Sequence, residues 1–466
     1  MSLATRWNDL TLSRRCDWID QLRGWAVIVM IEVHVVNVWL HKGMIPDWLN
    51  FLNGLVAPSF IMCAGYSLVL STFRPDGTLR PFAPTAKRLG FILLCAYALH
   101  APGFTLAEWT VLSTPQKFRE LFKIDVLQCI VFSLLILQGL ARIIRRPMAY
   151  ALAALALALG ATWAAPHLWR MGVADGWWLP IRGLINGNTD RGVTALFPLF
   201  PWIAFAAFGS VLGALYRHFR VMPSEGRARW SETRWLVALT VLGGGLLVWG
   251  SLYAKEWLWN GTFPASDAWR LHNTTLPSVA QRLGVVCAAG ALMGWVEMVR
   301  SRWIGPNFVE AASRESLLLY MLHLNLIFGV LLVEPIRVRT GWDWYSMGWQ
   351  GTLTLTILII GVNLAAGVAW QRIREQGDLA RKIQKIALAA LAVWFVAGGW
   401  LTYFHFRKSP ELAREPYPFL NAARLRKGLA ATEDGLSHDP TEVAREKARR
   451  RLKLSDEDRR MLNSMP

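Results

Sequence analysis

LRGWAVIVMIEVHVVNVWLHK, residues 22–42, decides the fold. At roughly 20 residues it is long enough to cross the ~30 Å hydrocarbon layer of a bilayer. It is rich in Val and Ile, poor helix formers in water. In hydrocarbon, however, every backbone N–H and C=O has to be satisfied within the segment, so an isolated span of this kind is helical. Stretches of the same kind recur along the 466 residues, and hydrophobic residues make up 54% of the chain, above the roughly 45–50% of soluble domains. Mean hydropathy is +0.30. The pattern predicts an all-α polytopic membrane bundle of about eleven helices, near 22–42, 48–73, 86–106, 121–143, 147–165, 194–216, 234–254, 279–300, 315–334, 348–370 and 385–406.

Three regions follow: a cytoplasmic N-terminal segment 1–21, a transmembrane domain 22–406 and a charged C-terminal tail 407–466. Residues 1–21 are polar and basic (Arg6, Arg14, Arg15) and show no separate apolar stretch with a cleavage site, so the first span is expected to stay as an anchor. The N-terminus and alternate loops carry about twice the Lys and Arg of the opposite loops, which sets them in the cytoplasm. The +18 net charge is thus a topology signal spread between spans, and no nucleic-acid partner is expected. The expected location is the bacterial cytoplasmic membrane. Cys63, Cys95, Cys129 and Cys287 fall inside apolar spans and read as packing residues. No metal site is expected. Trp163, Trp169, Trp177, Trp178, Trp257, Trp259 and Trp269 gather at the mouths of the outer loops, where they fit an aromatic belt and equally a platform for sugar rings.

Ionisable groups within a span are costly and mark function. Along an ideal helix Arg23 and His34, eleven residues apart, share one face about 16 Å from each other. Asp20, Asn37 and His41 join that stripe. Glu32 is turned to roughly the opposite side and needs a partner from a neighbouring helix. His323, in the ninth span, lies at a depth similar to His34, and the two are expected to converge. Asp125 and Gln128 sit near the outer end of the fourth span, and Arg314 and Glu315 at the inner end of the ninth.

Residues 18–34, WIDQLRGWAVIVMIEVH, resemble the opening helix of the transmembrane acyltransferases, with Asp-x-Leu-Arg-Gly at Asp20–Gly24 and an Arg-x10-His spacing at Arg23 and His34. APSFIMCAGYS (57–67), FPLFPWIAFAAFG (197–209) and SLLLYMLH (316–323) are similar to the branch containing the heparan-alpha-glucosaminide N-acetyltransferase catalytic domain, and the chain also resembles the acyltransferase-3 family. The chain departs from bacterial relatives at Val33, where Asp is often found, and at Asn53 and Gly54, where His often precedes Ala-Pro. The resemblance implies an acyl-CoA-dependent acyltransferase that moves an acetyl group from cytoplasmic acetyl-CoA to a hydroxyl or amine of an extracytoplasmic glycan. The donor is a co-substrate; no permanently bound cofactor is implied. His34 would be general base or acyl acceptor, with His323 and Tyr320 orienting or polarising the carbonyl. Arg23, Asp20, Arg88 and Arg314 would serve the donor, and Asn37, His41, Asp125, Gln128, Trp177 and Trp178 the acceptor. The lipid bilayer and a saccharide are the expected partners, and a second copy, giving a homodimer, is a further candidate. Two other readings fit the polar stripe: a proton-coupled secondary transporter using Glu32, His34, Asp125 and His323, and a non-catalytic scaffold for envelope assembly.

Overall fold

The protein is described by a computed structural model that covers residues 17–41, 43–74, 76–101, 103–110, 118, 120–171, 177–185, 195–221, 230–259, 275–300, 308–332, 336, 340–342, 344–398 and 400. Residues 1–16 of the expected N-terminal segment 1–21, Trp269, the end of the eleventh expected span and the tail 407–466 lie outside these residues. In chain order the helices are α1 (Asp17–Trp39), α2 (Asp47–Asn53), α3 (Val56–Thr72), α4 (Ala83–Leu99), α5 (Leu106–Thr110), α6 (Val126–Ile144), α7 (Pro147–Met171), α8 (Leu179–Ile185), α9 (Leu199–Tyr216), α10 (Glu232–Trp259), α11 (Leu276–Arg300), α12 (Phe308–Arg314), α13 (Ser316–Leu324), α14 (Trp349–Glu375) and α15 (Gly377–Ala397). Wider π-helical turns, Arg217–Val221 and Asn325–Leu331, extend α9 and α13. Among the described residues β-pairing is limited to isolated bridges, and the chain is an all-α multi-pass membrane protein.

Eight of the described helical segments are long and apolar enough to cross a bilayer, and α12 with the α13 segment forms a ninth candidate bent by 86°. The difference from eleven lies in three places. The expected third span is the 17-residue α4. The ninth is broken at Glu315, where α12 turns away from α13. The described part of the eleventh is α15, which opens on Asp378, Arg381, Lys382 and Lys385.

With lipid tails as apolar as the side chains, helices associate through close packing, and small residues allow it. At the α3–α9 contact a Cβ on Gly65 would overlap the Ala206 carbonyl, and one on Gly209 the Met62 carbonyl. The Ser210 hydroxyl donates across the same seam to the Gly65 carbonyl at 3.1 Å.

Helix α1 packs against α3, α11, α12, α13 and α14. Its first half joins a core in which ring contacts run Trp18–Tyr66–Tyr216–Trp235 across four helices at centroid distances of 5.1, 5.7 and 5.2 Å. Its second half, with Ile31, Val35, Val38 and Trp39, packs on Leu355 and Ile359 of α14. The end of α1 is tied to the loop before α14: Tyr345 N–H donates to the Val38 carbonyl (2.8 Å), Met347 N–H to Trp39 (2.7 Å) and His41 N–H back to Met347 (2.9 Å). The helix that carries the polar stripe is thereby held along its length.

Candidate active site

The stripe on α1 begins with a three-part polar contact. Arg23 pairs with Asp20 at 2.5 Å and donates from Nε to Ser313 Oγ of α12 at 3.0 Å. The Ser313 hydroxyl lies 3.3 Å from the same Asp20 oxygen. Gly24 makes this possible, because a Cβ there would overlap the Val309 carbonyl of α12. One turn beyond, the nearly buried Glu315 pairs with Arg374 of α14 at 2.5 Å. Both pairs follow from the cost of a lone charge away from water.

Eleven residues along α1, roughly 16 Å further, His34 meets His323 of α13. The Nε2 of His323 is 3.3 Å from the Nδ1 of His34, and the ring centroids are 5.0 Å apart. Each Nδ1 also lies 2.8 Å from a carbonyl four residues earlier in its own helix, Met30 for His34 and Leu319 for His323. A carbonyl can only accept, so both Nδ1 atoms carry hydrogen. His323 Nε2 is then an acceptor facing the His34 N–H, and His34 keeps a basic lone pair on its own Nε2. His323 is buried, and Tyr320 stands edge-on to it at 5.6 Å. The expected convergence of the two histidines is present.

Asp125 caps α6. One carboxylate oxygen accepts the Val126 N–H at 2.7 Å, and the other lies 3.3 Å from His100 Nε2 at the end of α4. Gln128 is fully buried and completes the capping box through Asp125 N–H, with its amide nitrogen left without a partner among the described residues. Glu32 is half-buried, and its polar neighbour is on another helix, Asn53 of α2.

The remaining expected residues are dispersed. Arg88 is exposed near the start of α4, and Arg314 is half exposed and paired with Glu310 within α12. Asn37 is exposed on α1, while His41 holds the Tyr345 carbonyl through Nδ1 at 2.7 Å. Trp177 and Trp178 are exposed just before α8, which packs on α9, and no ring contact among the described residues ties them to the histidines. Cys63, Cys129 and Cys287 are buried and unbridged, as packing residues are. No metal-binding group of three or more His, Cys, Asp or Glu occurs among the described residues.

Sequence reasoning missed Ser313 and His100, the partners of Arg23 and Asp125, and it noted Asn53, the neighbour of Glu32, only as a departure from the family pattern. Ser313 adjoins a charged pair already singled out, Arg314 and Glu315, and that adjacency was the available signal. His100 and Asn53 lie on separate helices, and no periodicity connects them to the residues they serve.

Compared with known families, the chain matches the profile described as "Heparan-alpha-glucosaminide N-acetyltransferase, catalytic" over residues 15–250, half of its length. No curated protein gives a significant match.

Proposed function

This chain belongs to the heparan-alpha-glucosaminide N-acetyltransferase catalytic family, and on that premise we propose that it carries an acetyl group across the membrane from cytoplasmic acetyl-CoA to a hydroxyl or amine of an extracytoplasmic glycan. The loop charge bias supports a cytoplasmic Arg23 end. Arg23 has five N–H donors, of which Asp20 and Ser313 engage two, so donor phosphates can share the guanidinium. Arg88 and Arg314 add positive charge on the same side. An extended pantetheine arm spans a distance comparable to the rise from Arg23 to His34.

The observation that carries the proposal is the His34–His323 contact with both tautomers set by backbone carbonyls. His34 Nε2 removes the proton from the acceptor as its oxygen or nitrogen attacks the thioester carbonyl. The C–S bond breaks, and the same proton passes from His34 to the departing thiolate, so no proton is gained or lost overall. While His34 is protonated, its Nδ1–H bonds to the Met30 carbonyl and His323 Nε2 strengthen. This is the base-plus-orienting-group arrangement of other acyl-transfer sites.

The test is acetyl transfer by purified protein in nanodiscs, from labelled acetyl-CoA to amino and hydroxyl saccharides. Wild type should transfer label and His34→Ala should not. Absence of transfer from any acyl-CoA, together with solute flux through proteoliposomes, would favour a transporter and overturn the reading.

A further inference from the structure

A line of exposed aromatic rings runs from the histidine pair to the far end of α1. Phe328 contacts the His34 ring edge-on at 6.4 Å, Trp344 lies 6.1 Å from Phe328 at a 38° tilt, and Tyr345 follows Trp344 at 6.2 Å. Phe328, Trp344 and Tyr345 are 42%, 43% and 37% exposed. Two local features put them there. Five residues on from His323, Phe328 would be turned roughly 140° away by an α-helix; it falls instead in the π-helical stretch Asn325–Leu331, whose wider turn brings it back toward the histidine face. Tyr345 has φ = +56°, a strained conformation for a bulky side chain that persists where surrounding contacts impose it. The backbone bonds to Val38 and Trp39, and the His41 side chain on the Tyr345 carbonyl, impose it here.

We propose that Phe328 and Trp344, flanked by Tyr345, form the acceptor subsite, a stacking platform for two successive pyranose rings of an oligosaccharide. The assignment deepens the acetyl-transfer reading and rests on it for the identity of the reacting sugar. The apolar C–H face of a pyranose lies on an aromatic ring while its hydroxyl rim stays in water, a use suited to rings that are half exposed. A ring stacked on Phe328 presents its edge groups to His34, and the next ring along the chain reaches Trp344. An aromatic belt that only meets lipid has no need to touch the reacting histidine, and this line does. The loop bearing Trp344 and Tyr345 is hydrogen-bonded to the helix that carries His34, so this part of the platform and the base keep a fixed separation. Trp177 and Trp178, also exposed, show no such connection among the described residues.

The probes are a hexosamine and its β-linked disaccharide, with binding to protein in detergent read by saturation-transfer NMR and transfer read as separate acceptor and donor KM values. Wild type should bind the disaccharide more tightly than the monosaccharide. Trp344→Ala should raise the disaccharide KM about tenfold, toward the monosaccharide value, and leave donor KM unchanged. Trp344→Phe should restore most of the difference. Tyr345→Asn, which removes a ring while tolerating positive φ, should give a smaller increase in the same direction. Equal disaccharide binding and KM in wild type and Trp344→Ala would overturn the platform and leave acetyl transfer standing. Disaccharide binding that depends on Trp344 without any transfer would support the platform and overturn the transferase reading. Absence of both binding and transfer would overturn the two together.

Discussion

At the Arg23 end of α1 the polar groups meet opposite charges, Asp20 for Arg23 and Arg374 for the neighbouring Glu315; at His34 an imidazole meets another imidazole, and hydrogen bonds from both go to backbone carbonyls. In each ion pair a charge faces an opposite charge, and each pair joins two helices or two turns of one, while the Arg23 fork still has N–H donors beyond those engaged by Asp20 and Ser313. The histidine pair is neutral and tolerates a low-dielectric setting without a counter-ion, yet it keeps a lone pair able to accept a proton. A membrane helix can therefore use charge to hold its neighbours and latent charge to do chemistry, two demands that one type of group meets poorly.

The comparison can be broken first at His34. His34→Ala should lower kcat by about 10²–10⁴-fold, the range of general-base catalysis, while gel filtration and thermal unfolding stay close to wild type; loss of assembly with activity retained in the folded fraction would turn His34 into a packing residue. His323→Phe keeps the ring volume and removes the acceptor for the His34 N–H, so kcat should fall by roughly 10–100-fold, less than for the base itself. An unchanged kcat would detach His323 from the reaction. At the other end Arg23→Gln should raise donor KM about tenfold with a smaller change in kcat, the signature of lost donor binding; a fall confined to kcat would contradict a phosphate-binding role. The smallest effect belongs to Ser313→Ala, which deletes one hydroxyl between Asp20 and Arg23. It should cost about 0.5–1.5 kcal/mol of stability, seen as a modest fall in thermal midpoint with donor and acceptor KM unchanged.

Much of this was legible along the chain. The spacing of Arg23 and His34 placed both on one helical face, and equal depth brought His323 opposite His34, because α-helical rise and rotation hold inside a bilayer as they do elsewhere. The same geometry excluded Glu32 as the His34 partner, and its carboxylate indeed turns to Asn53. What could not be read was anything decided by a departure from α-helical regularity. The break at Glu315 turns α12 across α1 and makes Ser313 a neighbour of Arg23. The π-helical stretch moves Phe328 onto a face that an α-helical wheel denies it. Partners fixed by packing between distant helices, such as His100 for Asp125, leave no periodic trace. Tryptophan content was equally mute: Trp177, Trp178 and Trp344 are all exposed, and among the described residues the ring contact to Phe328 and the tethered loop set Trp344 apart.

The two histidines are separated by 289 residues along the chain, and the second comes from beyond residue 250, where the match to the family profile ends. At ribosomal rates of about 5–20 residues per second, His34 precedes its partner by roughly 15–60 s. During that interval the membrane holds a growing chain that has its base but lacks the group that orients it, the hydroxyl that steadies Arg23 and the loop that ties down the end of α1. Under the proposed mechanism catalytic competence would arrive late in synthesis, and an interrupted chain carrying the whole family-matched region would still lack His323 and Ser313.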